Sequence, residues 1–441
     1  MLQAKLYKPI DNAPLVVFRI LFGFLIFWQI VFELLSGYVK RTYVNPKFTF
    51  SHIGMDWLQP LPGNGTYVYF IVMGILAFMV CIGYKYRFAI ITFTVFWAGS
   101  YFVQKTTYNN HHYLILLLGL MMSFLPAGKY ASVDANVNAS IKRLSMPYWC
   151  SLVMILQIAI VYFYATVAKL YGGWLDGSFT KVMLNKNVPE FLEPFYSHPY
   201  FYIFIAYAGL VFDLLIVGLL LWKKTRNLAL VLSIFFHIFN SVHLSIGIFP
   251  FLALGFIVFF YEPETIRKCF LWKKPLMDTE NYEPGKSILT YFFIPYFIIQ
   301  LLIPLRHHLI KGDVLWTEEG HRLSWRMMLR SRTGTTNFKV IDNKTNEVIR
   351  YRLSKDLTRT QIKKMRTRPD MIWQTAQMIK KKYARKGKDV RVYADTQIAI
   401  NHGDTRRLID PNVDLAHAKW DYFWHNDWIL LYDENGKVIA N

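Results

Sequence analysis

Ser151-Leu-Val-Met-Ile-Leu-Gln-Ile-Ala-Ile-Val-Tyr-Phe-Tyr-Ala-Thr-Val-Ala-Lys169-Leu170 decides the fold, because its length and almost unbroken apolar character are those of a membrane-spanning helix. Lys169 is the anomaly in it. A cation near the middle of such a helix costs about 2.5–3.5 kcal/mol on insertion scales, so it snorkels to the surface, finds a partner or sheds its proton. Burial disfavours the charged form, and an amine that has shed its proton is a base. Tyr171-Gly-Gly-Trp174 comes directly after, so a lysine that merely reaches the interface is the competing reading.

The flanking sequence repeats the apolar pattern. Of 441 residues, 54% are hydrophobic and 17% aromatic, more of both than a soluble domain carries. Apolar stretches at 14–36, 66–83, 88–104, 112–126, 148–170, 198–222, 227–245, 248–262 and 287–304 predict a polytopic α-helical membrane protein of eight or nine spans, the fourth and eighth being short. Met1 to Asp11 leads into a full-length span without a small-residue cleavage site, so the first helix is expected to be an anchor. With the N-terminus cytoplasmic and nine spans, inner segments carry fifteen Lys and Arg, and outer loops carry six: Lys40, Arg41, Lys47, Lys105, Lys181 and Lys186. Cys81, Cys150 and Cys269 then fall at cytoplasmic helix ends, where thiols stay reduced, and no disulfide is expected.

This divides the chain into a multi-pass transmembrane catalytic domain, 1–305, and a basic extramembrane domain, 306–441, on the periplasmic or lumenal side. In the second part, alternation over Asn337–Asp342 and Glu347–Leu353 predicts a hairpin turned at Asp342-Asn-Lys-Thr-Asn. Ile372, Trp373, Ala376, Ile379 and Lys380 predict a helix at about 368–386, and Val390-Arg-Val-Tyr-Ala a strand, together a small α+β unit. It holds 27 Lys and Arg against 16 Asp and Glu, a net +11 of the chain's +21. That balance suits membrane lipid or an acidic polypeptide, or is simply a solvated basic face. No nucleic-acid module is present in the sequence pattern, and nucleic acid is not expected as a partner.

Several polar groups sit inside apolar segments. Arg19 and Glu33 lie near the two ends of the first span, where snorkelling is the easier account, and Asp213 interrupts the sixth span and calls for a cationic partner. Tyr108-Asn-Asn-His-His-Tyr113 opens the fourth span; its amides and imidazoles either cap the helix or bind a polar group of a substrate. No metal-ligand spacing joins these histidines to cysteines or carboxylates, so no metal site is expected. His237, Asn240 and Ser241 share one face of the seventh span, the pattern of a pocket, and Ile246-Gly-Ile-Phe-Pro250 then breaks the backbone. Under the nine-span topology Lys169, the Asn/His cluster and the His237 face share the outer half of the membrane.

The same segments carry a resemblance. Val167-Ala-Lys169-Leu-Tyr-Gly-Gly-Trp174-Leu-Asp176-Gly177 resembles the lysine segment of vitamin K-dependent γ-glutamyl carboxylases, and Asn109-Asn110-His111-His112-Tyr113 resembles their Asn-Asn-His-x-Tyr motif. Phe236-His237-Ile-Phe-Asn240-Ser241 with Ser245-Ile246-Gly247-Ile-Phe249 is similar to a third family segment, and Pro14–Gly23, Trp325–Arg332 and Ile409–Asp414 to three more. The order holds from residue 14 to about 420. It implies a reaction in which reduced vitamin K, or a menaquinol in a bacterial relative, is oxygenated by O2 to its epoxide. That oxygenation drives carboxylation by CO2 of glutamate in a peptide or protein. The resemblance implies Lys169 as the base that starts quinol oxygenation. It implies His111 with Asn110 as groups that orient glutamate or stabilise charge, and His237, Asn240, Ser241 and Trp174 as the quinol pocket. Neither metal nor biotin is implied.

The chain departs from the animal enzymes in carrying Ala168-Lys169 where they have two lysines, in Tyr171 where an acidic residue stands, and in lacking an outer cysteine pair. These features resemble a bacterial inner-membrane relative. Two other classes remain open on the sequence: a membrane quinol epoxidase without protein carboxylation, and a non-enzymatic transporter or lipid-binding membrane protein.

Overall fold

The computed structural model describes residues 2–184, 193–244, 246–277 and 284–439. Lys186 of the outer-loop cations and Ser245 of the third family segment lie outside them. Strand β1 (Pro9–Asp11) leads into helix α1 (Ala13–Leu35), which Pro14 starts in the first turn, where a missing N–H costs nothing. Next in the chain are α2 (Gly65–Ile82), α3 (Tyr86–Val103), α4 (Asn110–Phe124), β2 (Ser145–Pro147), α5 (Trp149–Ala168), α6 (Pro199–Leu221) and α7 (Arg226–Leu244). Then come α8 (Phe249–Gly255), α9 (Pro263–Phe270) and α10 (Ile294–Leu302).

Seven helices among the described residues are long and apolar enough to cross a membrane: α1, α2, α3, α5, α6, α7 and a composite segment Lys286–Leu309 that contains α10. The stretch Phe249–Phe259, bent by 119° against α9, makes an eighth candidate. The remaining expected span is α4, whose 15 residues reach about 22 Å, short of a bilayer core of about 30 Å. It is enclosed by the other helices, with Leu114, Ile115, Leu118, Met121 and Met122 fully buried. Helix α5, which carries the long apolar run up to Lys169, is the most enclosed of the long ones: 72% of its most apolar window is buried, against 17–50% for the other six.

Packing is close where side chains are small. A Cβ on Gly23 of α1 would lie 2.4 Å from the backbone nitrogen of Cys81 in α2, so this crossing admits only glycine. Arg19 and Glu33 do not snorkel. Arg19 is fully buried and donates to the carbonyls of Ala127 (3.1 Å) and Ala131 (2.5 Å) beyond α4, while Glu33 is 4% exposed and accepts from Gln29 at 2.8 Å. Without water, a buried donor needs a protein acceptor, and the unpaired carbonyls after a helix end supply it.

The extramembrane part is built on β3 (Arg332–Asp342), β4 (Val348–Ile349), α11 (Arg359–Met365), α12 (Pro369–Ala384) and β5 (Val390–Ile400). The sheet order is β4-β3-β5, all antiparallel. The hairpin forms at the expected turn, but only Val348 and Ile349 pair with β3; its main partner is β5, in register from Arg332↔Ile400 to Asp342↔Val390. Helix α12 buries Met371, Ile372, Ala376 and Ile379 against Val390, Val392 and Ala394. Lys380, on the same predicted stripe, sends its amine to the carbonyl of Ala416 at 3.0 Å.

The two hydrophobic cores interlock. Phe50, from the loop between α1 and α2, is buried in the extramembrane core, and Trp325 is buried in the membrane core. Lys105, by sequence an outer-loop cation, is buried and meets Asp370 at the start of α12 at 2.5 Å, with Arg322 on the same carboxylate oxygen at 2.6 Å. Burial alone would lift the Asp370 carboxyl, but Arg322 and Lys105 overcome it and hold it well below the ordinary carboxylate range. Burial pushes Lys105 down to about 8 against the pull of Asp370. A depressed carboxylate contributes stability that is present above its unfolded pKa and lost as pH falls through the folded one. Asp370→Asn leaves two buried cations unpaired and is expected to destabilise the docked extramembrane part by about 3–5 kcal/mol at pH 7. Thermal unfolding in detergent measures it; an unchanged melting temperature would show that the network contributes nothing.

Candidate active site

The site begins where α5 ends. Lys169 is the C-cap residue of α5, 9% exposed, and its Nζ lies 2.5 Å from Asp213 Oδ2 on α6 and 3.2 Å from the carbonyl of Ala165. The sequence called for a cationic partner for Asp213 and a fate for Lys169, and the structure answers both with one ion pair. The chain then turns back: Tyr171 is extended, Gly172–Leu175 forms one helical turn, and Gly177 takes φ +77° where a Cβ would meet Ile203 N of α6 at 2.9 Å. This return lays Trp174 over the amine, 5.3 Å from ring centroid to Nζ, and its indole N–H donates to the Ala206 carbonyl at 2.9 Å. Trp174 belongs to the lysine rather than to the His237 face.

Two turns back on the same face of α5, Tyr162 OH lies 3.0 Å from His237 Nε2 on α7. His237 is 1% exposed, and its Nδ1 has no hydrogen-bond partner among the described residues. Phe212 and Phe249 stand edge-on to its ring at 5.9 and 6.0 Å, and Phe249 also lies 6.2 Å from the ring of His111. Phe249 thus spans the gap between the two histidines. Asn240 and Ser241 are half-buried on the next turn of α7, beyond the Tyr162–His237 contact.

The Asn/His cluster divides its work. Asn109 caps α4, accepting from His112 N–H at 2.7 Å. Asn110 accepts from Tyr108 OH at 3.1 Å and donates to the Arg326 carbonyl at 3.2 Å, so its amide holds the extramembrane chain. His111 faces Phe249, and His112 lies edge-on to Trp97 at 5.3 Å. The capping reading therefore describes Asn109, an anchoring role describes Asn110, and His111 is left facing the His237 side.

Sequence reasoning missed four contributors. Tyr162 is an ordinary residue of an apolar run, seven residues before Lys169, and Phe249 ends the third family segment with no polar group to mark a role of its own. The others are Arg326, through its carbonyl, and Tyr171, whose hydroxyl donates to the Leu329 carbonyl. Around these contacts the backbone takes left-handed φ at Leu323, Trp325 and Met328, conformations that residues with a Cβ avoid. The Trp325–Arg332 segment is thus a tether between the Asn110 and Lys169 ends of the site.

Residues 7–264 match the family described as HTTM domain, and residues 285–435 match the vitamin K-dependent gamma-carboxylase, lumenal domain. The chain belongs to the vitamin K-dependent γ-carboxylase family. No solved structure matches it. The site brings together an amine–carboxylate pair, a Tyr–His pair and an aromatic wall of Phe212, Phe236 and Phe249. Among the described residues no group of three His, Cys, Asp or Glu side chains is placed to hold a metal ion.

Breaking a buried ion pair from one side leaves an unpaired charge and costs about 3–5 kcal/mol, whereas replacing both partners by apolar residues is close to neutral. Asp213→Asn is therefore expected to lower the melting temperature in detergent markedly, and Lys169→Met with Asp213→Leu to recover most of the loss. A double variant as unstable as the single one would mean that the pair does not hold α5 to α6.

Proposed function

We propose that this family member couples oxygenation of a reduced vitamin K-type quinol, or a menaquinol, to carboxylation of glutamate in a peptide or protein. Hydroquinone, O2, CO2 and a glutamyl side chain would give the 2,3-epoxide, water and γ-carboxyglutamate. The observation that carries the reading is the buried Lys169–Asp213 pair, two turns along the same face of α5 from the Tyr162–His237 pair. Transfer of the ammonium proton across the 2.5 Å contact to Asp213 makes Nζ a neutral amine able to take the quinol proton. Trp174 covers that amine, and the enclosing helices keep out the water that would quench a strong base. His111, held near His237 across Phe249, is the group we assign to the glutamate end, with Asn110 fixing its helix start.

The proposed arrangement is a 1–305 transmembrane catalytic domain and a 306–441 exterior domain in a bacterial inner membrane, with the N-terminus cytoplasmic. The fifteen-to-six placement of cations supports this orientation, and the basic exterior suits an acidic, glutamate-rich substrate.

Detergent-purified protein given reduced vitamin K, O2, labelled bicarbonate and a glutamate peptide is expected to form epoxide and fix label. Lys169→Ala and Asp213→Asn are each expected to lose at least 100-fold of both products, the usual scale for removing a proton-transfer group. Full activity in Lys169→Ala would end the base assignment. Epoxide without fixed label in the wild type would favour a quinol epoxidase that does not carboxylate protein; neither product, with quinone still bound, would favour a transporter or lipid-binding protein. His111→Ala is expected to reduce carboxylation more than epoxidation, measured in the same assay. Equal loss would give this histidine a structural role only.

A further inference from the structure

At the end of the helix bundle away from the extramembrane part, a cavity of about 380 Å³ opens between the α2–α3 turn, the start of α3 and the chain after α4. That volume lies in the range of sites that hold small ligands. Three cations line it, Lys85, Arg87 and Lys129, and no carboxylate pairs with any of them among the described residues. One carboxylate shares the cavity, that of Asp134. Both its oxygens are spent on the helix start, accepting from Lys85 N–H at 2.7 Å and Tyr86 N–H at 2.8 Å. Lys85 itself adopts φ 42°, an uncommon left-handed conformation for a lysine, at the turn those bonds fix. The cavity therefore keeps an excess of positive charge.

Its other walls are apolar, and Phe88 joins it to the outside of the bundle. Phe88 is 59% exposed, Ile91 48% and Val95 64%; at this spacing they form one continuous stripe along α3, which faces lipid. A ligand seated here meets cations at its head and a lipid-facing apolar track leading away from it. We infer that this cavity binds the phosphate of an anionic phospholipid headgroup, with the acyl chains running along Phe88, Ile91 and Val95. A soluble phosphate would use the three cations but gain nothing from the stripe. The site lies at the end of α3 opposite the Lys105–Asp370 contact, so it is independent of the proposed carboxylase chemistry.

Native mass spectrometry of the full chain in mild detergent tests this, with phosphatidylglycerol and phosphatidylcholine of identical acyl chains as probes. Three cations near an anionic headgroup predict a preference for phosphatidylglycerol on the order of 100-fold. Lys85→Gln with Arg87→Gln and Lys129→Gln is expected to abolish the preference while leaving phosphatidylcholine retention unchanged. If that triple variant does not fold, Arg87→Glu alone is expected to reduce phosphatidylglycerol retention several-fold. Equal retention of the two lipids by the wild type, or undiminished preference in the variants, would overturn the inference. Inorganic phosphate that binds as tightly as the lipid and displaces it would overturn the lipid assignment in favour of a soluble anion. Failure of displacement at millimolar phosphate supports the lipid.

Discussion

A bilayer core offers polar groups no water, so each must be satisfied by protein, and the Lys169–Asp213 pair satisfies two charged groups with one contact. Lipid tails are as apolar as leucine, so burying leucine between helices gains little more than dispersion. What specifies the arrangement of α5 against α6 and α7 is then the set of polar ties that lipid cannot replace. Among the described residues, two join α5 to these helices near this end: the ion pair to α6 and the Tyr162–His237 contact to α7. Both outer helices are mostly lipid-facing, with 28% and 17% of their most apolar windows buried. A polar tie weighs more on such a helix than on α5, which is enclosed on most sides. The residues with chemical capacity are thus also the ones that place the helices.

The extramembrane part completes this end of the bundle. Leu315 and Leu329 pack with Ala168, Trp174 and Phe179, and Trp325 lies 5.0 Å from Tyr113 of α4. Left-handed backbone at non-glycine residues costs roughly 1–3 kcal/mol at each, and three such residues occur between Leu323 and Met328. They persist because the segment is gripped on both sides. Tyr108 OH accepts from Leu323 N–H at 2.8 Å, Asn110 holds the Arg326 carbonyl, and Tyr171 holds that of Leu329. Through Arg322 and Asp370 the same segment is fixed to α12 and to Lys105, five residues before Asn110. The extramembrane helix α12 is thus joined to the helix carrying His111 by a short chain of bonded groups.

The spans and the α12 stripe were legible in the sequence because hydropathy and a 3.6-residue period are local properties. Lys169, Asp213 and His237 were legible as misfits, since a polar group in an apolar run needs an explanation. Their pairings were not, because Lys169 and Asp213 are 44 residues apart and nothing local joins them. Arg19 and Glu33 were misread as snorkelling for a related reason: each is close to a helix end along the chain, and the acceptors of Arg19 lie more than 100 residues away. Lys105 had the sequence setting of a loop cation, and only α12 folding back over that loop buries it. The second hairpin strand pairs with β3 over two residues only, and the full length of β3 is taken on its other edge by β5, a partner some fifty residues on that nothing local marks.

An amine paired with a carboxylate differs from an amine alone in the demands it makes on a dry site. A lone lysine that rests protonated puts a net charge in a low-dielectric interior, which is expensive after any relaxation. In the Lys169–Asp213 pair, moving the proton from Nζ to Oδ2 changes a dipole and leaves the net charge at zero. Both states are therefore tolerable where water is scarce. When the amine then takes a proton from a bound acid, the new cation and the new anion arise together, and the ammonium stands beside the anion it has made. In the proposed reaction the pair would supply a base for the first proton transfer and a counter-charge for its product, and the burial that excludes water would also strengthen the attraction between that ammonium and the anion.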